Sequence, residues 1–217
     1  MSSNKEVQGV EYWKNRAQND TKMDWSKEGK DWLEEYTQSI SHPHRIKIIE
    51  ELKKLDKFES VLEIGCNTGP NIQLIRENFP EIKDFEITGV DVNEDSIKKA
   101  KSDLPGVNWL VDDITQDIVI LPIVDVVIVD AVLMYVGPKD IKDVIKRIAT
   151  SAKKAIILIE WNDKSITGVV KDFHWARDYQ VLLKKEGFKV TKNKLTKEDW
   201  PTKTWAKNGY IYTSLRA

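Results

Sequence analysis

Two hydrophobic periods divide the chain near residue 58. Before it, apolar residues recur at helical spacing. "YWKNRAQND" is amphipathic, and "KDWLEEYTQSI" places Trp32, Leu33, Tyr36 and Ile40 on one side of a helix. "SHPHRIKIIEELKKL" predicts a further helix, with Ser41 as its cap, Pro43 in its first turn and Ile46, Ile49, Leu52 and Leu55 as its apolar face. From residue 59 the runs become short, β-branched and almost wholly apolar: "SVLEIG" (60–65), "FEITGVD" (85–91), "VNWLV" (107–111), "VDVVIVD" (124–130) and "KAIILIEW" (154–161). That is the look of parallel strands buried on both faces. "NIQLIRENF", "NEDSIKKAKS" and "PKDIKDVIKRIATSA" alternate with them as helices, whereas 112–123 reads as mostly loop.

Alternating strands and helices imply right-handed crossovers and an open, doubly wound α/β sheet. The end departs from that rhythm. A helix around "FHWARDYQVLLKKEG" precedes "FKVTKNKL" and "GYIYTSLR", joined by a polar, Trp-containing loop, so these two strands are expected to be antiparallel. The expected architecture is a seven-stranded sheet, five parallel strands plus an antiparallel C-terminal pair. Residues 1–57 form a helical cap that is not an independent domain, and 58–217 form the main domain.

Composition narrows the picture only modestly. The 217 residues are 41% hydrophobic and 32% charged, an ordinary globular balance without a disorder signature. A formal net charge of -1 gives no general attraction to nucleic acid or acidic membranes. No run approaches a membrane span, the start lacks a signal-peptide core, and the single cysteine, Cys66, excludes an intramolecular disulfide framework. The expected location is cytoplasmic. Three scattered histidines and one cysteine show no metal-ligand spacing. Eight tryptophans, mostly outside the central strands, serve either as core filling or as the wall of an apolar pocket.

Candidate chemistry centres on "VLEIGCNTGPN" (61–71). The first strand ends in a turn holding Gly65, Cys66, Asn67 and Gly69, and ligands of doubly wound sheets bind beyond such strand ends. The letters argue against phosphate. Asn67 stands where a dinucleotide turn needs its second glycine, no P-loop lysine follows, and Glu63 would repel a pyrophosphate. Glu63 suits a ligand carrying positive charge.

This set of features resembles the class I S-adenosylmethionine-dependent methyltransferases, whose first motif runs acid-x-Gly-x-Gly-x-Gly; "LEIGCNTG" departs from it at Asn67. The resemblance implies a Rossmann-like S-adenosylmethionine-binding domain, with Glu63, Gly65, Cys66, Asn67 and Gly69 around the cofactor. It puts Asp91, with Val92 after it, on the ribose hydroxyls, and Asp113, with Ile114, on the adenine, Asp112 being the neighbouring alternative. It further implies that Asp130 and Ala131 pass the methionine end, and that Tyr135 faces the substrate.

Around the acceptor, His174 and Tyr135 are the candidate catalytic groups, and Trp32, Tyr36, Tyr135, Trp161, His174 and Arg177 the candidate substrate contacts. His42 and His44 flank Pro43 at a helix start, where local hydrogen bonding also accounts for them. Tyr12, Trp13 and Arg16 either reach the methionine carboxylate or belong to a plain amphipathic cap. The expected function is methyl transfer to an O or N atom of an unidentified small molecule, with nucleic acid disfavoured, no membrane and no oligomeric state implied. Three alternatives stay open: a nicotinamide-dependent oxidoreductase on a related sheet, a methyltransferase for protein or RNA, and a non-catalytic S-adenosylmethionine-binding protein.

Overall fold

The computed structural model describes residues 9–16 and 31–217. Helices α1 (Val10–Lys14), α2 (Trp32–Gln38) and α3 (Pro43–Leu52) precede strand β1 (Val61–Ile64). Then follow α4 (Pro70–Asn78), β2 (Ile87–Asp91), α5 (Glu94–Asp103), β3 (Asn108–Val111), β4 (Val124–Asp130), α6 (Ile141–Ser151) and β5 (Ala152–Trp161). The C-terminal part comprises β6 (Val169–Lys171), β7 (His174–Ala176), α7 (Tyr179–Lys185), β8 (Phe188–Lys194), α8 (Lys203–Asn208) and β9 (Gly209–Arg216).

Seven strands form one sheet in the order β3-β2-β1-β4-β5-β9-β8, with β1 to β5 parallel and β9 antiparallel to both β5 and β8. Strand order reverses between β1 and β4, which opens a crevice at their carboxyl ends. The strands alternate between two cores, as period-2 geometry requires. Val61, Val126, Ile128, Ile157 and Ile159 pack with α3, α4 and α5, while Leu62, Ile64, Val127, Val129, Ile156 and Leu158 pack with α6 and α7. The sheet is the middle of three layers. Among the described residues, no helix is long and apolar enough to cross a membrane.

Several expectations fail for local reasons. Strand β3 lies at the sheet edge, so Leu110 and Val111 are exposed rather than buried on both faces. Helix α3 starts at Pro43 with His42 in the cap position and without a side-chain cap, so Ser41 does not start it. Its inward face is His44, Arg45, Ile48, Ile49 and Leu52, and Ile46 points to solvent.

The helix expected around 173–187 begins only at Tyr179. Residues 169–176 form a hairpin instead, whose two turn residues Asp172 and Phe173 have φ of 47° and 70°. Two positive φ values give the primed turn that matches strand twist, here without the usual Asn-Gly signature. The Trp-containing connection is not all loop either, because Thr202 accepts a bond from Trp205 N (3.3 Å) and caps α8.

Candidate active site

The turn after β1 is shaped by its backbone. Gly65 has φ 73° and Gly69 φ 85°, and Asn67 occupies the same left-handed region at φ 50°. Gly65 and Cys66 donate to Val90 O (2.7 and 3.1 Å), and Asn67 N donates to Asp91 Oδ2 (2.8 Å). The other oxygen of Asp91 accepts from Asn93 N (2.8 Å). Asp91 is therefore fixed in place on the cavity wall, with acceptor capacity left over.

A cavity of about 580 Å³ occupies the crevice, within the usual range for small-ligand sites. At its β3 end lie Asp112, Asp113 and Ile114; in the middle Glu63, Gly65, Cys66, Asn67, Asp91 and Val92; at the β4–β5 end Asp130, Ala131, Tyr135, Trp161 and His174. Of the remaining residues read from sequence, Tyr36 lines the cavity and Gly69, Trp32 and Arg177 do not.

The reasons for these three exceptions are visible. A Cβ at Gly69 would lie 2.8 Å from Trp109 and 3.0 Å from Leu104, so this glycine makes room for helix packing. Trp32 is wholly buried behind Tyr36, with the Arg16 guanidinium 4.4 Å above its ring. Arg177, also wholly buried, donates to Leu133 O (2.9 Å), Val136 O and Thr167 O (3.1 Å). Its task is to hold backbone. Tyr12 and Arg16 also stand off the cavity, whereas Trp13 lines it.

Some cavity carboxylates serve their own loops. Asp113 accepts from Thr115 N (2.9 Å), Thr115 Oγ1 (2.6 Å) and Gln116 Nε2 (3.3 Å), whereas among the described residues Asp112 accepts from Asp113 N alone (2.8 Å). The Ile114 carbonyl takes Arg147 Nη1 (2.6 Å).

The densest cluster sits between β1 and β4. Asn71 Nδ2 donates to Glu63 Oε1 (2.7 Å) and Asp130 Oδ2 (3.0 Å), and Asn71 Oδ1 accepts from Arg45 Nη1 (2.9 Å). Asp130 Oδ2 also receives Arg45 Nη1 (3.3 Å) and His44 Nε2 (2.9 Å). Burial alone would push the Asp130 carboxyl up, but His44, Arg45 and Asn71 outweigh it and hold the group at about 2. Burial pushes Glu63 up to about 8, against the hydrogen bond from Asn71. Glu63 Oε2 and Asp130 Oδ1 are buried without a hydrogen-bond partner among the described residues. Two orphaned carboxylate oxygens in one cavity call for a cationic ligand group.

An aromatic wall completes the β4–β5 end. Trp200 stacks on Trp205 at 3.7 Å and 7°, and His44 stacks on Trp200 at 4.0 Å. The edge contacts Trp205–Trp161, Trp161–His174, His174–Tyr135 and Tyr135–Trp13 continue it at 5.0–5.7 Å between centroids. Sequence reasoning left out Trp200, Trp205, Arg45 and Asn71. The excess of tryptophan hinted at the first two, but no local signal marked the others. Among the described residues no cluster suits a metal ion.

A family model described as a methyltransferase domain matches residues 61–155. Trans-aconitate 2-methyltransferase of Rhodopseudomonas palustris (strain BisA53) is 28% identical over 110 residues, 50% of this chain and 41% of its own. The chain thus spans less than half the length of this curated relative. Magnesium protoporphyrin IX methyltransferase from Synechocystis PCC 6803, solved with S-adenosylhomocysteine, superposes with a TM-score of 0.57 at 15% identity, covering 84% of this chain and 83% of its own. The plantazolicin methyltransferase, solved with a triazolic desmethylPZN analog and S-adenosylhomocysteine, gives 0.57 at 15% identity over 83% and 85%. Residues 61–155, which hold the turn at Gly65 and the acid-ended strands described above, are a methyltransferase domain of the class I S-adenosylmethionine-dependent kind.

Proposed function

We propose that the protein binds S-adenosylmethionine in this cavity and transfers its methyl group to an oxygen or nitrogen of a small, largely apolar acceptor. The observation that carries the reading is the pair of orphaned carboxylate oxygens, Glu63 Oε2 and Asp130 Oδ1, beside the Gly65 turn. They fit the ammonium group of the methionine moiety, and the remaining lone pairs of Asp91 fit ribose hydroxyls. Asp112 has more free carboxylate capacity than Asp113 for an adenine amino group. When bound, the sulfonium supplies an already activated methyl group. The chain's own work is to exclude water and hold the acceptor in line, where proximity and orientation contribute roughly 7–11 kcal/mol in favourable cases.

The aromatic wall formed by Tyr135, Trp161, His174, Trp200 and Trp205 favours a small apolar acceptor, and Tyr36 and Trp13 close the opposite side. The small-molecule class agrees with relatives named for trans-aconitate and magnesium protoporphyrin IX. Near-neutral charge disfavours a nucleic-acid substrate, and the chain is taken as cytoplasmic. A screen of metabolite extracts with methyl-labelled S-adenosylmethionine tests this. Label in an extractable small molecule supports the reading, and label only in added protein or RNA refutes its acceptor class.

A further inference from the structure

The cluster at Asp130 extends one residue further into the cavity. His44 Nδ1 is hydrogen-bonded to His42 Nδ1, and His44 Nε2 lies 2.9 Å from Asp130 Oδ2. The direction of each bond follows from the charge at its far end. Asp130 is ionised and only accepts, so His44 Nε2 carries the hydrogen. Burial disfavours a charged His44, leaving its Nδ1 with a lone pair. The hydrogen between the rings therefore belongs to His42 Nδ1. A neutral His42 then has a bare Nε2, on the ring side away from that bond and without a hydrogen-bond partner among the described residues. His42 lines the cavity at its aromatic end, its ring centroid 5.1 Å from that of Trp200.

We propose that His42 Nε2 is the base that takes the proton from the methyl acceptor, with Asp130, acting through His44, as the positioning residue that keeps this nitrogen bare. The inference rests on the proposed methyl transfer and deepens it. The acceptor's O–H or N–H bond breaks and its proton joins the lone pair of His42 Nε2. Its electron pair forms the bond to the methyl carbon, while the carbon–sulfur pair leaves on sulfur. The imidazolium so formed donates from Nδ1 toward His44, whose other nitrogen is tied to a carboxylate, and returns its proton to solvent when product leaves. This chain of donors resembles the way a buried carboxylate orients a catalytic imidazole elsewhere. His174 Nδ1 donates to the backbone carbonyl of Asp172 (2.7 Å), which also leaves its Nε2 bare, but among the described residues no hydrogen-bonded carboxylate stands behind that ring to stabilise an imidazolium. The groups around His42 agree with a neutral resting base: burial, His44 and Arg45 lower it to about 4 against the pull of Asp130.

The test is ¹⁵N NMR of imidazole-labelled protein near pH 7, free and with S-adenosylhomocysteine, with signals assigned through His42→Gln and His44→Gln. The expected pattern is His42 protonated only on Nδ1 and His44 only on Nε2. A His42 protonated on Nε2, or on both nitrogens, overturns the proposal. In transfer of label from methyl-labelled S-adenosylmethionine into a metabolite extract, His42→Gln should lose at least about 100-fold, within the usual contribution of a general base. Its S-adenosylhomocysteine affinity should stay within about threefold, and His174→Gln should lose less than about tenfold. Full transfer by His42→Gln, or a larger loss in His174→Gln, overturns the assignment. A wild-type protein that binds no S-adenosylhomocysteine refutes the proposed function instead, while the nitrogen shifts of the free protein still decide the tautomer.

Discussion

Glu160 and Arg177 grip the same single turn of chain from opposite ends. Glu160 accepts from Val132 N (2.8 Å), Leu133 N (2.6 Å) and Met134 N (3.1 Å), while Arg177 donates to the carbonyls of Leu133 and Val136. Glu160 takes up the free N–H groups at the N-terminal end of residues 133–135 and Arg177 the free carbonyls at the C-terminal end, so the turn's unpaired backbone groups are satisfied although burial pushes Glu160 up to about 8. Both side chains are wholly buried. The turn carries Tyr135 into the cavity and follows Ala131, which sits at φ 57°. Neither side chain lines the cavity; together they set the shape of its wall. Arg177→Met leaves buried carbonyls without donors, at about 1–3 kcal/mol each. We expect a loss of at least about 3 kcal/mol in chemical denaturation. A loss below about 0.5 kcal/mol would show that the turn holds itself.

Asp91 has two duties, and two substitutions separate them. Asp91→Ala removes the acceptor for Asn67 N and Asn93 N as well as any ligand contact. It should lower stability by about 1–3 kcal/mol and weaken S-adenosylhomocysteine binding more than about tenfold. Asp91→Asn keeps the side chain's shape and one acceptor, so it should fold nearly normally yet still bind at least about tenfold more weakly, a change of only about 1.4 kcal/mol. Unchanged affinity of the folded Asn variant in calorimetry would remove Asp91 from the ligand site.

Gly65 is constrained by a neighbour rather than by the space a ligand occupies. A Cβ there would lie 2.1 Å from Val132 Cγ2, and its φ of 73° is one that residues with a side chain rarely adopt. Gly65→Ala should cost about 1–2 kcal/mol for the backbone and about 1–3 for the overlap. Val132→Ala in the same chain should recover the second part but not the first. A double-mutant cycle by thermal or chemical denaturation checks this, and additive losses would contradict the contact.

Glu63 should make ligand binding release protons. Its folded carboxyl titrates at about 8, against an ordinary value of 4.5, so between these limits the folded protein binds a proton that the unfolded chain lacks. By linkage, this group's contribution to stability is present below about 4.5 and lost as pH rises through about 8. An ammonium placed at Glu63 reverses the preference and expels the proton. Calorimetry at pH 7 in buffers of different ionisation enthalpy should therefore show proton release on S-adenosylhomocysteine binding, absent in Glu63→Gln. Equal heats across buffers would contradict an ammonium at this carboxylate.

The parallel strands and the acids at their ends were legible because both signals are local. Buried parallel strands read as apolar runs, and Glu63, Asp91, Asp112 and Asp130 stand where those runs stop. What escaped notice depended on distant partners. His44 and Arg45 are polar letters at a helix start, and only the position of Asp130, some 86 residues later, gives them a reason to face inward. Trp200 and Trp205 reach the cavity because β9 returns antiparallel beside β5, carrying α8 with it. Arg177 reads in the sequence as a substrate contact on a helix over 173–187, because the primed turn at Asp172 and Phe173 lacks its common residues. Glu160, at the end of an apolar run like the others, turns away from the cavity to cap a backbone turn.

The most direct test of the central claim is equilibrium binding measured calorimetrically with S-adenosylhomocysteine and, separately, with NAD. The account predicts one S-adenosylhomocysteine bound per chain, with no heat of binding for NAD. Saturable NAD binding without S-adenosylhomocysteine binding would contradict it.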